Sequence, residues 1–136
     1  MFKISIFILL FATITLSGCS LSEPSNPERL SKSINYSNQA AVILNQTGSN
    51  LSQENMTEII KLKKQALDEA LLVDTKALNN QYQGFGDQWK SKYIKGLELF
   101  IEGIENGDNQ KSLQGQVLLD QWGEWYSSNI DEIRSN

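Results

Sequence analysis

The chain has 136 residues, with 12 basic and 16 acidic side chains, no histidine and a single cysteine. The acidic balance excludes a nucleic-acid-binding surface, because such a surface lacks the phosphate-neutralising term on which that binding depends. The missing histidine removes the commonest general base and metal ligand, and one cysteine cannot close an internal disulfide, so the fold must be held by burial.

The first predicted element is a positive charge at Lys3 followed by an apolar run, Ile4 to Leu16, broken only by Ser5, Thr13 and Thr15. This is the layout of a signal peptide. A helix needs about 20 apolar residues to cross a hydrocarbon core of ~30 Å, so the run is too short to serve as a permanent span. It closes on Leu16-Ser17-Gly18-Cys19, whose two small residues leave the backbone accessible before the cysteine. These four residues resemble the lipobox of bacterial lipoproteins, a leucine, then alanine or serine, then glycine or alanine, then cysteine.

The resemblance is confined to the N-terminal segment. It implies thioether attachment of diacylglycerol to Cys19, cleavage before that residue and acylation of the new amino group by a fatty acid such as palmitate. Each buried methylene contributes ~0.8 kcal/mol, so several acyl chains hold a protein at a bilayer without help from its surface. Ser20 directly after the cysteine implies, in a Gram-negative cell, release to the periplasmic face of the outer membrane. The expected organisation is a signal peptide over 1–18, an acylated cysteine and flexible tether over 19–28, and a helical domain over 29–136. The tether is assigned from Ser20 to Glu28, a polar stretch holding both prolines.

Beyond the tether, apolar residues at Leu30, Ile34, Ala41 and Leu44 follow the helical period and predict helix one from Arg29 to Gln46. Its middle, Asn35 to Gln39, has weak helix propensity and must be held by packing. Thr47-Gly48-Ser49-Asn50 ends it. Ser52 is placed to cap a second helix reaching Asn79, in which Ile60, Leu67, Leu71 and Leu78 repeat along one line. Within it, Lys61, Lys63 and Lys64 read as a solvated basic face, with Glu58 three residues before Lys61. Gln81 to Gly86 interrupts the period, and Asp87 is placed to cap a third helix, Gln88 to Glu105, with Trp89, Tyr93, Leu97, Phe100 and Ile104 inward. Asn106-Gly107 supplies a left-handed stop. A fourth helix carries Leu113, Val117, Leu118, Trp122, Trp125, Tyr126, Ile130 and Ile133, with Gly115 and Gly123 explained by close packing. The expected fold class is all-α, a four-helix up-down bundle.

Eight of the nine aromatic residues after Cys19 lie between Tyr82 and Tyr126, which predicts that the second hairpin holds the aromatic core. Trp122, Trp125 and Tyr126 cannot all point inward from one helix, so at least one should stand on a rim and anchor a partner. Phe85, between two glycines, should stand exposed at a loop tip. These four residues are the candidate partner-binding set. Eight acidic residues between Glu98 and Glu132 face only Lys111 in the same stretch and form a further candidate surface, for a cationic partner. The run Glu105 to Asn109 fails the spacing of a calcium loop, and neither a metal nor a cofactor is expected. Only Asp74 and Glu124 resemble members of a catalytic carboxylate pair, and both read more simply as exposed polar positions. The expected function is therefore non-enzymatic, a lipid-anchored envelope lipoprotein whose domain binds a protein, as accessory or pilot lipoproteins do. The alternative is a carrier that holds a small apolar ligand between Trp89, Trp122 and Tyr126.

Overall fold

The computed structural model describes residues 23–135, so the signal, Cys19 and the start of the tether lie outside the described residues. Every regular element among them is helical. In chain order these are α1 (Asn26–Thr47), α2 (Gln53–Leu71), α3 (Thr75–Gln81), α4 (Phe85–Gln88), a π-helical segment (Trp89–Ile94), α5 (Lys95–Glu105) and α6 (Asn109–Ser135). The residues at the junctions of α4, the π segment and α5 keep right-handed helical dihedrals, so 85–105 form one continuous rod.

Helix α1 starts three residues before its expected position. Pro27 occupies the first turn, where its missing N–H is no loss, and Ser25 forms a capping box with Glu28, whose Oε2 accepts the Ser25 amide at 3.0 Å. Asn26 to Glu28, assigned to the tether, belong to the helix. The prolines read as linker because a first-turn proline and a linker proline look alike in sequence.

The helix expected from 53 to 79 is two helices. Ser52 caps α2 as expected, accepting the Asn55 amide at 3.1 Å. The helix stops at Leu71, and Asp74 starts α3 by accepting the amides of Lys76 and Ala77 at 2.9 and 3.1 Å. Asn26 locks this corner from across the fold, its side chain accepting the Asp74 amide at 2.7 Å and donating to the Asp74 carbonyl at 3.0 Å. A side chain distant in sequence thus stabilises the break.

The third helix begins at Phe85, not after Asp87. Gly84 precedes it with φ of 82°, a conformation glycine tolerates, and the side-chain Oδ1 of Asn79 accepts the amides of Gly86 at 2.7 Å and Asp87 at 3.3 Å. The expected cap at Asp87 is therefore supplied by Asn79, a residue from α3. Gly107 has φ of 68° and ends α5 as expected.

Successive rods pair with opposite direction. Between α1 and α2, Arg29 faces Glu69, Ser33 faces Ala66 and Ser37 faces Lys63, so one sequence rises as the other falls. Ala70 against Trp89 and Lys64 against Glu105 set the same sense between α2 and the third rod. Lys92 against Gln121 and Glu102 against Lys111 set it between that rod and α6. One end of the domain thus gathers the start of α1, the α2–α3 corner, the start of α4 and the end of α6.

Helices α5 and α6 cross at backbone distance. A Cβ added at Gly115 would stand 2.4 Å from the Phe100 amide nitrogen and 2.6 Å from the Gly96 carbonyl oxygen, whereas one at Gly123 would meet nothing within 4 Å. Close packing explains the first glycine and not the second. Gly115→Ala is expected to lower stability by about 1–3 kcal/mol through overpacking. Gly123→Ala is expected to raise it by about 0.5–1 kcal/mol, because alanine restricts the unfolded chain and favours the helix. Urea unfolding of the two variants checks the opposite signs.

Candidate functional site

The rings picked out in the sequence come together in one cluster. Trp89 and Tyr93, four residues apart in the π segment, stack at 4.2 Å between centroids, and the Trp89 edge meets Trp122 at 5.2 Å. Trp122 in turn stacks on Tyr126 at 5.3 Å and Phe85 at 5.9 Å. Trp125 lies 5.6 Å from Trp122 and 5.9 Å from Phe85, and Tyr82 closes the outer side edge-on to it at 6.1 Å. Offset and edge-to-face contacts of this kind contribute about 0.5–1.5 kcal/mol each beyond the area they bury.

Exposure differs from the expected pattern. Phe85 is only 2 % exposed, because it opens a helix whose first turn turns inward, and no loop tip exists there. Trp122 and Tyr126 are also buried, while Trp125 is half-buried and is the ring on the rim. Of the four candidate partner-binding residues, only Trp125 presents surface. Of the three expected carrier residues, Trp89 and Trp122 fill the core with one another. The Trp89 indole nitrogen donates to the Ala70 carbonyl at 3.2 Å, so its polar edge is satisfied inside.

Beside the rings lies a buried polar row that the sequence did not reveal. Lys63, read as part of a solvated cluster, is 2 % exposed, and its ammonium donates to the Ser37 hydroxyl at 2.9 Å under the Phe100 ring. Ser33 donates to the Ala66 carbonyl at 2.6 Å and lies 3.1 Å from the Tyr93 hydroxyl, which both serine hydroxyls approach. Burial pushes Lys63 down from 10.5 to about 8, with the charge of Asp120 opposing it, and burial pushes Tyr93 well above its ordinary 10. Lys63 and Ser37 have the composition of a serine–lysine nucleophilic pair. Both are buried, however, and the pair offers a substrate no open face. Its neighbours Lys61 and Lys64 do behave as expected: Lys61 pairs with Glu58 at 3.2 Å, and Lys64 with Glu105 at 2.5 Å. The signal that could have separated Lys63 from them is position, since it follows the buried Leu62 and lies three residues before Ala66, on the inner face.

The acidic stretch divides in two. On α5, Glu98, Glu102 and Glu105 each pair with a lysine, Lys95, Lys111 and Lys64 respectively. On α6, Asp120 and Glu124 share an exposed line with Leu113 and Val117, which are 52 % and 46 % exposed. Asp74 serves as a helix cap, and Glu124 lies exposed on α6. Among the described residues, no three His, Cys, Asp or Glu side chains converge to hold a metal ion, and no helix is long and apolar enough to cross a membrane.

A cleft of about 230 Å³ opens at the end of the domain where α1 begins, with Leu30, Leu78, Phe85, Tyr126 and Ile133 in its wall. Tyr126 is the one expected carrier residue that lines it, and burial holds the Tyr126 hydroxyl above its ordinary value despite the nearby charge of Arg134. Comparison with known proteins found no matching family model, curated protein or solved structure.

Proposed function

We propose that this chain is a non-enzymatic, lipid-anchored lipoprotein of a bacterial cell envelope, a four-helix up-down bundle that binds a protein partner through the outer face of α6. The anchor rests on the lipobox resemblance at Cys19, and Ser20 directs the protein to the periplasmic face of the outer membrane if the cell is Gram-negative. The partner is a cationic, partly apolar segment, matched to the line Leu113, Val117, Asp120 and Glu124 with Trp125 on the adjoining rim.

The observation that favours binding over carriage is the closure of the aromatic cluster on itself. Small-molecule sites typically enclose roughly 300–1,000 Å³, and the end cleft is about 230 Å³. The carrier reading keeps that cleft in its favour, with Tyr126 but neither Trp89 nor Trp122 on its wall.

Two measurements test the proposal. Mass spectrometry of the mature N-terminus is expected to show acyl chains on Cys19, and an unmodified terminus at Ser20 or beyond ends the anchoring reading. A photocrosslinker at Val117 in intact cells is expected to capture one protein, while the same group at exposed Gln39 on α1 captures none. Loss of that adduct in Leu113→Ser, with the melting temperature unchanged, supports the face. Stoichiometric co-purifying lipid with no protein adduct at 117 decides for the carrier.

A further inference from the structure

We propose that the end of the domain holding the α2–α3 corner seats directly on the lipid bilayer, with Leu71 and Leu72 inserted at the headgroup boundary. The inference rests on the anchoring reading above and adds to it a specific contact surface and orientation.

Leu71 closes α2 and Leu72 follows it, and they are 57 % and 60 % exposed, the two most exposed large apolar side chains among the described residues. Two adjacent leucines bare to water form a small apolar patch that gains free energy by leaving water. Their location supplies the partner. Asn26 at the start of α1 makes two hydrogen bonds to Asp74, so the leucine corner is fixed beside the point where the chain enters the domain. Cys19 lies seven residues before Asn26, a reach of at most ~23 Å at ~3.3 Å per residue.

A lipid on Cys19 therefore holds this end within tether reach of the membrane surface. Leu113 and Val117 lie 20 and 16 residues before Ile133 along α6, which places them ~30 Å and ~24 Å farther along the helix at 1.5 Å per residue. Apolar surface thus occurs at both ends, and the near pair is the one the tether holds beside the lipid when the domain stands on this end. The corner also carries Asp74 and Lys76, charges of both signs, so seating does not depend on anionic lipid. Among the described residues no helix is long and apolar enough to cross a membrane, and the contact proposed is one that lies on its surface.

The test uses the full-length, membrane-extracted protein. Acylation consumes the Cys19 thiol, so Leu72→Cys or Leu113→Cys introduces one free thiol for an environment-sensitive fluorophore. Each labelled protein is placed in phosphatidylcholine–phosphatidylglycerol vesicles, with and without spin-labelled acyl chains. The expected result is a blue shift and loss of most emission at 72, with 113 unchanged, at both low and high salt. If mass spectrometry shows an acylated Cys19 and the probe at 72 behaves like the one at 113, the seating is wrong while the anchor stands. Quenching at both positions would mean that the domain lies flat, against the proposal. A blue shift at 72 that grows with protein concentration in detergent, with no quenching in spin-labelled vesicles, would assign the corner to a second copy of the chain and overturn it. An unacylated terminus removes the anchoring reading and this inference together.

Discussion

Phe85→Ala is expected to cost about 3–5 kcal/mol, the range for deleting a buried aromatic ring. Phe85 is 2 % exposed and touches Trp122, Trp125 and Tyr126 at 5.9–6.0 Å between centroids, so its removal leaves a cavity bordered by three rings. Those rings cannot collapse into it readily, because Trp122 is already stacked on Tyr126 and edged by Trp89. Domains of this size have only about 5–15 kcal/mol in total, so the loss is a large fraction. Thermal unfolding followed by circular dichroism should show a fall of about 10–20 °C. An exposed partner anchor would behave differently, since truncation would leave the melting temperature unchanged and remove only binding. A shift of less than about 3 °C would return Phe85 to the surface, below what a cavity of this kind requires.

Lys63→Met is expected to raise stability at pH 7 and to abolish an alkaline rise shown by the unmodified protein. Folding holds the ammonium in a buried site, so its pKa falls from 10.5 to about 8. Below pH 8 both folded and unfolded chains carry the proton, and the full burial cost is present. Between about 8 and 10.5 the unfolded chain still binds a proton that the folded chain has released, so stability rises with pH. The difference corresponds to about 3 kcal/mol. Tyr93 acts in the opposite sense at higher pH. Its folded hydroxyl keeps a proton that the unfolded chain loses above 10, so stability declines beyond that point.

A maximum near pH 10 follows for the unmodified domain, and methionine at position 63 should remove the rising limb while keeping the decline. Methionine is close to lysine in volume and carries no charge, so the substitution removes the cost of burying the ammonium. Ser37 stays paired in the variant because Tyr93 also faces its hydroxyl. Melting temperatures from pH 6.5 to 11 check both parts. Parallel profiles for the two proteins would show that Lys63 carries no burial cost.

The helical class, the cap at Ser52, the stop at Gly107 and the inward line Trp89, Tyr93, Leu97 and Phe100 were all legible in the sequence. Each follows from a local rule: a 3.6-residue period, a hydroxyl before the first turn, or a left-handed glycine. The expected anchor at Cys19 likewise rests on local sequence and lies outside the described residues. Tertiary structure alone decided the rest. Asn26 stabilises the α2–α3 break from 48 residues away, and Asn79, in the preceding helix, takes the capping role expected of Asp87. Lys63 differs from Lys61 and Lys64 only in the face it occupies once α1 packs against α2. Periodicity shows which residues share a face, but it cannot show how many neighbours cover that face or which groups they bring. That is why three adjacent rings on α6 could be seen to need a rim position, while the choice of Trp125 for it depended on where Phe85 packed.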